Sequence, residues 1–117
     1  MENRVIKFRV WDNVDYMSTP FTLEDLQSDK IEFTSDCPIM QFTGLLDKAK
    51  TEIYESDILR WKFNDEDRLY EVFWDDTCGR WLVKNLHDKT DITHILHDSF
   101  TEVVGNKYST PELLNQK

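Results

Sequence analysis

Residues 58–83 read ILRWKFNDEDRLYEVFWDDTCGRWLV, and the way their apolar side chains alternate decides the fold class. In ILRWKF, Leu59, Trp61 and Phe63 alternate with Ile58, Arg60 and Lys62; in RLYEVFW, Tyr70, Val72 and Trp74 alternate with Leu69, Glu71 and Phe73. A period of two places alternate side chains on opposite faces of an extended chain, so both runs read as strands. The acidic string NDED, residues 64–67, reads as the loop between them. DDTCG, residues 75–79, reads as a hairpin loop in which Gly79 supplies a positive φ, and RWLVKN returns as a third strand. The centre of the chain is therefore an antiparallel meander.

Outward from the meander the same period recurs. RVIKFRVWD, residues 4–12, sets Ile6, Phe8 and Val10 against Lys7, Arg9 and Trp11, and the turn formers of DNVD predict an opening hairpin. Thr22 is positioned to cap a short helical turn carrying Leu23 and Leu26, with Glu24 and Asp25 near its positive end. KIEFT, residues 30–34, reads as a short strand, and Pro38 separates it from IMQFTGL. The stretch 87–98, HDKTDITHILHD, fits an irregular connection or a short strand or helix around Ile92, Ile95 and Leu96. TEVVGNKY is a last strand in which Gly105 marks a bulge or bend, and Pro111 opens a short terminal helix with Glu112 at its positive end. With several short strands and no long helical stripe, the expected fold is mainly β: an SH3-like small barrel with an N-terminal β-hairpin extension and short helical turns. One domain is expected over 1–117, with residues 1–50 as hairpin and connecting segment and 51–117 as the barrel.

The chain of 117 residues carries 23 Asp and Glu against 14 Lys and Arg, a net charge of −9. Residues 1–60 hold 12 acids and 7 bases and residues 61–117 hold 11 and 7, so the acidity belongs to the whole surface. Such a surface repels a phosphate backbone, and no nucleic-acid partner is expected. No apolar run follows Met1 that would serve as a signal peptide or span, so a cytoplasmic protein with Cys37 and Cys78 reduced is expected, with no membrane contact.

Three blocks, IKFRVWD, MQFTGLLDKAKTEIYESDILRW and EVVGNKYSTPELL, resemble in order and spacing the YopX family of phage and prophage proteins. The middle block is the most specific, matching at Gln41, Phe42, Thr43, Gly44, Leu45, Asp47, Lys48, Glu52, Ile53, Tyr54, Glu55, Asp57 and Ile58. It departs from the family where Ala49-Lys50 replaces Asn-Gly and where Ser56 replaces Gly. The resemblance implies a β-rich fold with an SH3-like barrel, entered at EIYESDILRW, in a bacterial host cell, and no established catalytic activity. Gln41, Thr43, Gly44, Leu45, Asp47, Glu52, Ile53, Tyr54, Asp57, Ile58, Gly105 and Asn106 are accordingly read as structural.

Chemical sites are sparse. His94, His97, His87 and Cys78 lack the second Cys-x-x-Cys element of a zinc site, and NDED lacks the Gly and distal Glu of a calcium loop. Asp75 and Asp76 beside Cys78 oppose thiolate formation. Gly-x-Ser-x-Gly and glycine-rich phosphate loops do not occur. No enzyme, metal or cofactor is expected. Four Trp, four Tyr and seven Phe exceed what a small barrel usually encloses, so a protein partner or homo-oligomer is expected to use the surplus. Trp61 and Trp74 lie on the faces with the strongest apolar alternation and are read as core. Trp81 with Asp75 and Asp76, and then Trp11, are the candidate partner-binding residues. The alternative is a nucleic-acid-binding SH3-like module; a hydrolase is the remote third reading.

Overall fold

The computed structural model describes residues 6–27, 36–63, 65–88, 94–96 and 101–115. They form a mainly β structure of two antiparallel sheets with one short α-helix. The elements are β1 (Phe8–Val10), α1 (Leu23–Gln27), β2 (Ile39–Leu46), β3 (Glu52–Tyr54), β4 (Asp57–Phe63), β5 (Glu66–Asp75), β6 (Arg80–Asn85), β7 (His94–Ile95) and β8 (Thr101–Asn106), followed by a 3-10 turn, Pro111–Asn115. One sheet has the order β1-β2-β3 and the other the order β7-β6-β5-β4-β8. β7 and β8 are the two margins of the larger sheet, which closes into no barrel among the described residues.

The meander is as the alternation predicts. Leu59 faces Tyr70, and Val72 faces Val83. With Ile53, Trp81 and Leu96 they form the main core, against which Leu45, Trp61 and Val103 pack. The acidic loop is shorter than expected, because Glu66 and Asp67 belong to β5 and pair with Phe63 and Lys62. Gly79 has φ 64° and donates its N–H to the Asp75 carbonyl at 2.7 Å, closing the β5–β6 hairpin.

The N-terminal part departs from a plain hairpin. β1 pairs with β2, while residues 17–21 return along its other edge through isolated bridges, Trp11 to Met17 and Phe8 to Phe21. Asp12 holds the reversal, accepting N–H groups of Val14, Asp15 and Tyr16 at 2.8–3.0 Å. α1 starts on a reciprocal cap: Thr22 Oγ1 accepts the Asp25 N–H and Asp25 Oδ2 accepts the Thr22 N–H. The strand expected over KIEFT lies outside the described residues, as do the greater part of 87–98 and His97.

QFTGL is the bulge that lets β2 serve two cores. Phe42 pairs with Tyr54 and Leu46 with Glu52, so the register slips between them, and Gly44 takes φ 88° inside the slip. Thr43 closes it, donating its hydroxyl to the Ile53 carbonyl at 2.8 Å and accepting the Leu45 N–H at 3.2 Å. Met40, Phe42 and Tyr54 pack with Trp11 into a second core, while Leu45 and Ile53 pack into the main one. The β2–β3 hairpin is thus the wall between two cores.

Gly105 sits at a second slip, where Ile58 faces Gly105 and Leu59 faces Val103. A Cβ there would come within 2.5 Å of Leu113 Cδ1 and Thr110 Oγ1, so any larger residue forces the 3-10 turn's side chains to shift where they pack on β8. The two family glycines this chain lacks have a comparable need: Lys50 has φ 69° and Ser56 φ 72°. An L-residue in the left-handed region costs about 1–2 kcal/mol, partly offset by the extra unfolded-state freedom of glycine. Lys50→Gly and Ser56→Gly are each expected to raise stability by about 0.5–1 kcal/mol, read as a higher urea midpoint at unchanged m-value.

Candidate functional site

Two carboxylates of the middle block are buried, and both are used up by the fold. Asp57, with 0% exposure, sits where β3 turns into β4. Its Oδ2 accepts the Tyr54 N–H at 2.8 Å across that turn, and its Oδ1 accepts from Asn106 Nδ2 at 2.9 Å and pairs with Arg9 of β1. The Arg9 guanidinium lies 4.2 Å from the Tyr54 ring centroid, and Tyr54 gives its hydroxyl proton to Glu52, the ion-pair partner of Lys7. One acid therefore joins the first sheet to both β4 and β8. Burial pushes its carboxyl above the ordinary range; Arg9 is the largest opposing influence, followed by the Tyr54 N–H.

Asp47, 3% exposed, has no charged partner among the described residues and works through the backbone. Oδ1 accepts the N–H groups of Ala49 and Thr51, and Oδ2 accepts the Val103 N–H, all at 2.8 Å. Lys48 N–H donates to the Thr101 carbonyl at 3.0 Å. The DKAK segment is thereby laced to the outer edge of β8. These geometries give Asp47, Asp57 and Asn106 the task of joining strands remote in sequence.

The tryptophans lie differently from the sequence reading. Trp81 and Trp11, expected at the surface, are each only 9% exposed, whereas Trp74, expected in the core, is 40% exposed. Trp81 is directly opposite Trp74 on the meander face that carries Tyr70, Val72 and Val83. At the hairpin tip that face runs out, so one ring of the pair lies inside and the other outside. They meet edge to face with centroids 5.0 Å apart. Trp11 is buried because the face it shares with Lys7 and Arg9 covers the second core; the two cations lie over the rings of Phe42 and Tyr54.

Trp74 is therefore the aromatic that Asp75 and Asp76 flank at the surface. Asp76 is exposed; Asp75 accepts the Thr77 N–H and is held below the ordinary carboxylate range, first by its hydrogen bond from the Cys78 thiol. The same bond and the Asp75 charge push the thiol up, away from a reactive thiolate. The Trp81 indole Nε1–H is buried and has no acceptor among the described residues. His87 is exposed in the turn after β6, away from the hairpin tip in sequence. Among the described residues, no group of three or more His, Cys, Asp or Glu is arranged to hold a metal ion, and no helix is long and apolar enough to cross a membrane.

Two antiparallel sheets walled apart by a bulged hairpin and pinned by a buried aspartate define a small two-core β protein. Residues 12–115 match the family model described as YopX protein, and the chain belongs to the YopX family. It is also similar to the crystal structure of protein EF1440 from Enterococcus faecalis, at 24% identity and a TM-score of 0.59, over 96% of this chain and 99% of that one. That likeness concerns the fold. No curated protein matches the chain.

Removing one partner of a buried ion pair leaves the other uncompensated, so Asp57→Ala is expected to cost about 3–5 kcal/mol in chemical denaturation. Glu55 provides a pH test. Burial raises its carboxyl above the ordinary range, against a hydrogen bond from the Gln41 N–H. With the folded-state pKa raised, its contribution is full below the ordinary carboxylate range and is lost as pH rises through the raised value. Glu55→Gln removes this loss, so the variant's stability relative to the parent should increase from acid to neutral pH, measured by urea unfolding at each pH.

Proposed function

We propose that this protein is a noncatalytic accessory factor of phage or prophage origin that works in the bacterial cytoplasm through protein contacts, with the β5–β6 hairpin tip as its docking surface. The observation that carries this reading is Trp74: a large ring 40% exposed at a tight hairpin tip, seated against buried Trp81 and flanked by Asp75 and Asp76. Aromatic anchors set on a rigid base and rimmed by polar groups dominate binding energy in protein interfaces. The larger sheet, with its strong bend at Gly105 and its terminal 3-10 turn, is read as the SH3-like unit that presents this tip. The buried carboxylates are consumed by backbone and Arg9, which supports a scaffold role over an enzymatic one.

The second reading, a nucleic-acid-binding SH3-like module, requires a basic face. Two of the cations such a face would use, Lys7 and Arg9, are paired with Glu52 and Asp57, and Arg60 is paired with Glu102.

A photo-reactive amino acid placed at Trp74 tests the proposal, with the same group at exposed Leu23 as the control. A protein adduct formed from position 74 and not from 23 is expected, identified by mass spectrometry, while titration with mixed single- and double-stranded nucleic acids at moderate salt gives no tight binding. Submicromolar nucleic-acid affinity with a steep salt dependence would overturn the reading in favour of the alternative.

A further inference from the structure

β8 is the outermost strand of the order β7-β6-β5-β4-β8, and its sequence TEVVGN places the β-branched residues Thr101, Val103 and Val104 on that margin. A margin of this composition pairs readily, and an open one offers its amides and carbonyls to any extended chain, a second copy included. Here those groups are already taken. Lys48 N–H donates to the Thr101 carbonyl at 3.0 Å, and Asp47 Oδ2 accepts the Val103 N–H at 2.8 Å. At the far end of the strand Thr110 Oγ1 accepts the Asn106 N–H at 2.8 Å. What meets the edge beside 101–103 is a tight turn, which presents no further edge of its own. Its geometry is fixed from within, because Asp47 Oδ1 accepts the Ala49 and Thr51 N–H groups and the Asp47 N–H donates to the Thr51 carbonyl, all at 2.8 Å. Lys48 and Lys50 are exposed on this turn, and lysines beside an edge hinder a second copy that would bring the same charges.

We propose that residues 47–51 are an edge guard: the turn holds β8 closed against strand addition, and a chain that lacks the Asp47 carboxylate pairs its β8 with β8 of a second copy. The pairing is antiparallel about a two-fold axis and joins the two larger sheets into one, so it ends at a dimer. Asp47 is suited to the task because its two oxygens face different ways, one into its own turn and one onto the Val103 N–H. A side chain that fills the place of a strand satisfies the amide without extending the ladder. The guard lies apart from the β5–β6 hairpin tip and stands whether or not that tip is a docking surface.

Light scattering over a rising concentration series, run on the parent, Asp47→Ala and Asp47→Asn, reads the association, and hydrogen exchange of the Val103 amide locates it. In Asp47→Asn the side-chain oxygen stays on the Ala49 and Thr51 N–H groups while the NH2 meets the Val103 N–H donor to donor, so the edge opens with the turn kept. Both variants are expected to double in mass relative to the parent as concentration rises. Their Val103 amide should exchange fast in dilute solution and slowly in concentrated solution, whereas in the parent it exchanges slowly throughout. Slow amides in β5 and β6 establish that each variant is folded. A mass that follows the parent's at every concentration would overturn the proposal, as would a rise in mass that leaves the Val103 amide fast. Loss of protection across β5 and β6 in both variants would also overturn it, since residues 47–51 would then be a requirement for folding and not a guard.

Discussion

A carboxylate with no access to water is the constraint around which this molecule is arranged. Asp57 ends one turn, receives β1 through Arg9 and receives the end of β8 through Asn106, so three segments remote in sequence converge on two oxygens. Burying the charge is costly, and the cost is met only when every lone pair has a donor. This couples the two cores. The second core, built on Trp11, Met40, Phe42 and Tyr54, cannot slide on the first without taking Arg9 from its partner. Asn106 reinforces the link, since its amide also lies 3.5 Å from Met40 Sδ inside the second core.

Around that pin, the middle block divides its work by residue type. Thr43 and Gly44 make the bulge, Ile53 and Tyr54 send side chains to opposite cores, and Asp47 replaces a neighbouring strand for one N–H of β8. None of these tasks involves a ligand. The concentration of specific residues at 41–58 is accounted for by the strand connections they make.

The meander was legible because alternation with a period of two is a direct consequence of strand geometry, and Leu59, Tyr70 and Val72, grouped by that alternation, lie in the main core. Gly79, Gly105 and the Thr22 cap were legible because each answers a local stereochemical demand. The tryptophans were not. Parity assigns Trp74 and Trp81 to one face but carries no information on where that face ends, and only the tertiary structure decides which ring is outermost. Trp11 was misplaced for a related reason: Lys7 and Arg9 mark its face as polar, yet both lie over aromatic rings and pair with acids whose proximity depends on contacts 45 and 48 residues apart. The length of the β4–β5 loop was overestimated because acidic residues read as turn formers, although Glu66 and Asp67 extend the ladder.

The position of β4 in the larger sheet also bears on how the chain acquires its structure. β4 lies between β5, its immediate successor, and β8, whose residues come some forty positions later. During synthesis from the N-terminus, one whole flank of β4 has unpaired amides until β8 has left the ribosome, and Asp57 and Asp47 both wait for donors from that same strand. Pairing over such a separation carries a larger loop-closure entropy cost than pairing across a tight hairpin. The meander 57–85 is held by local hairpin pairing alone, whereas docking of 101–106 shuts the open margin of β4, brings the Asn106 amide to Asp57 and the Val103 N–H to Asp47, and so ties the two cores together.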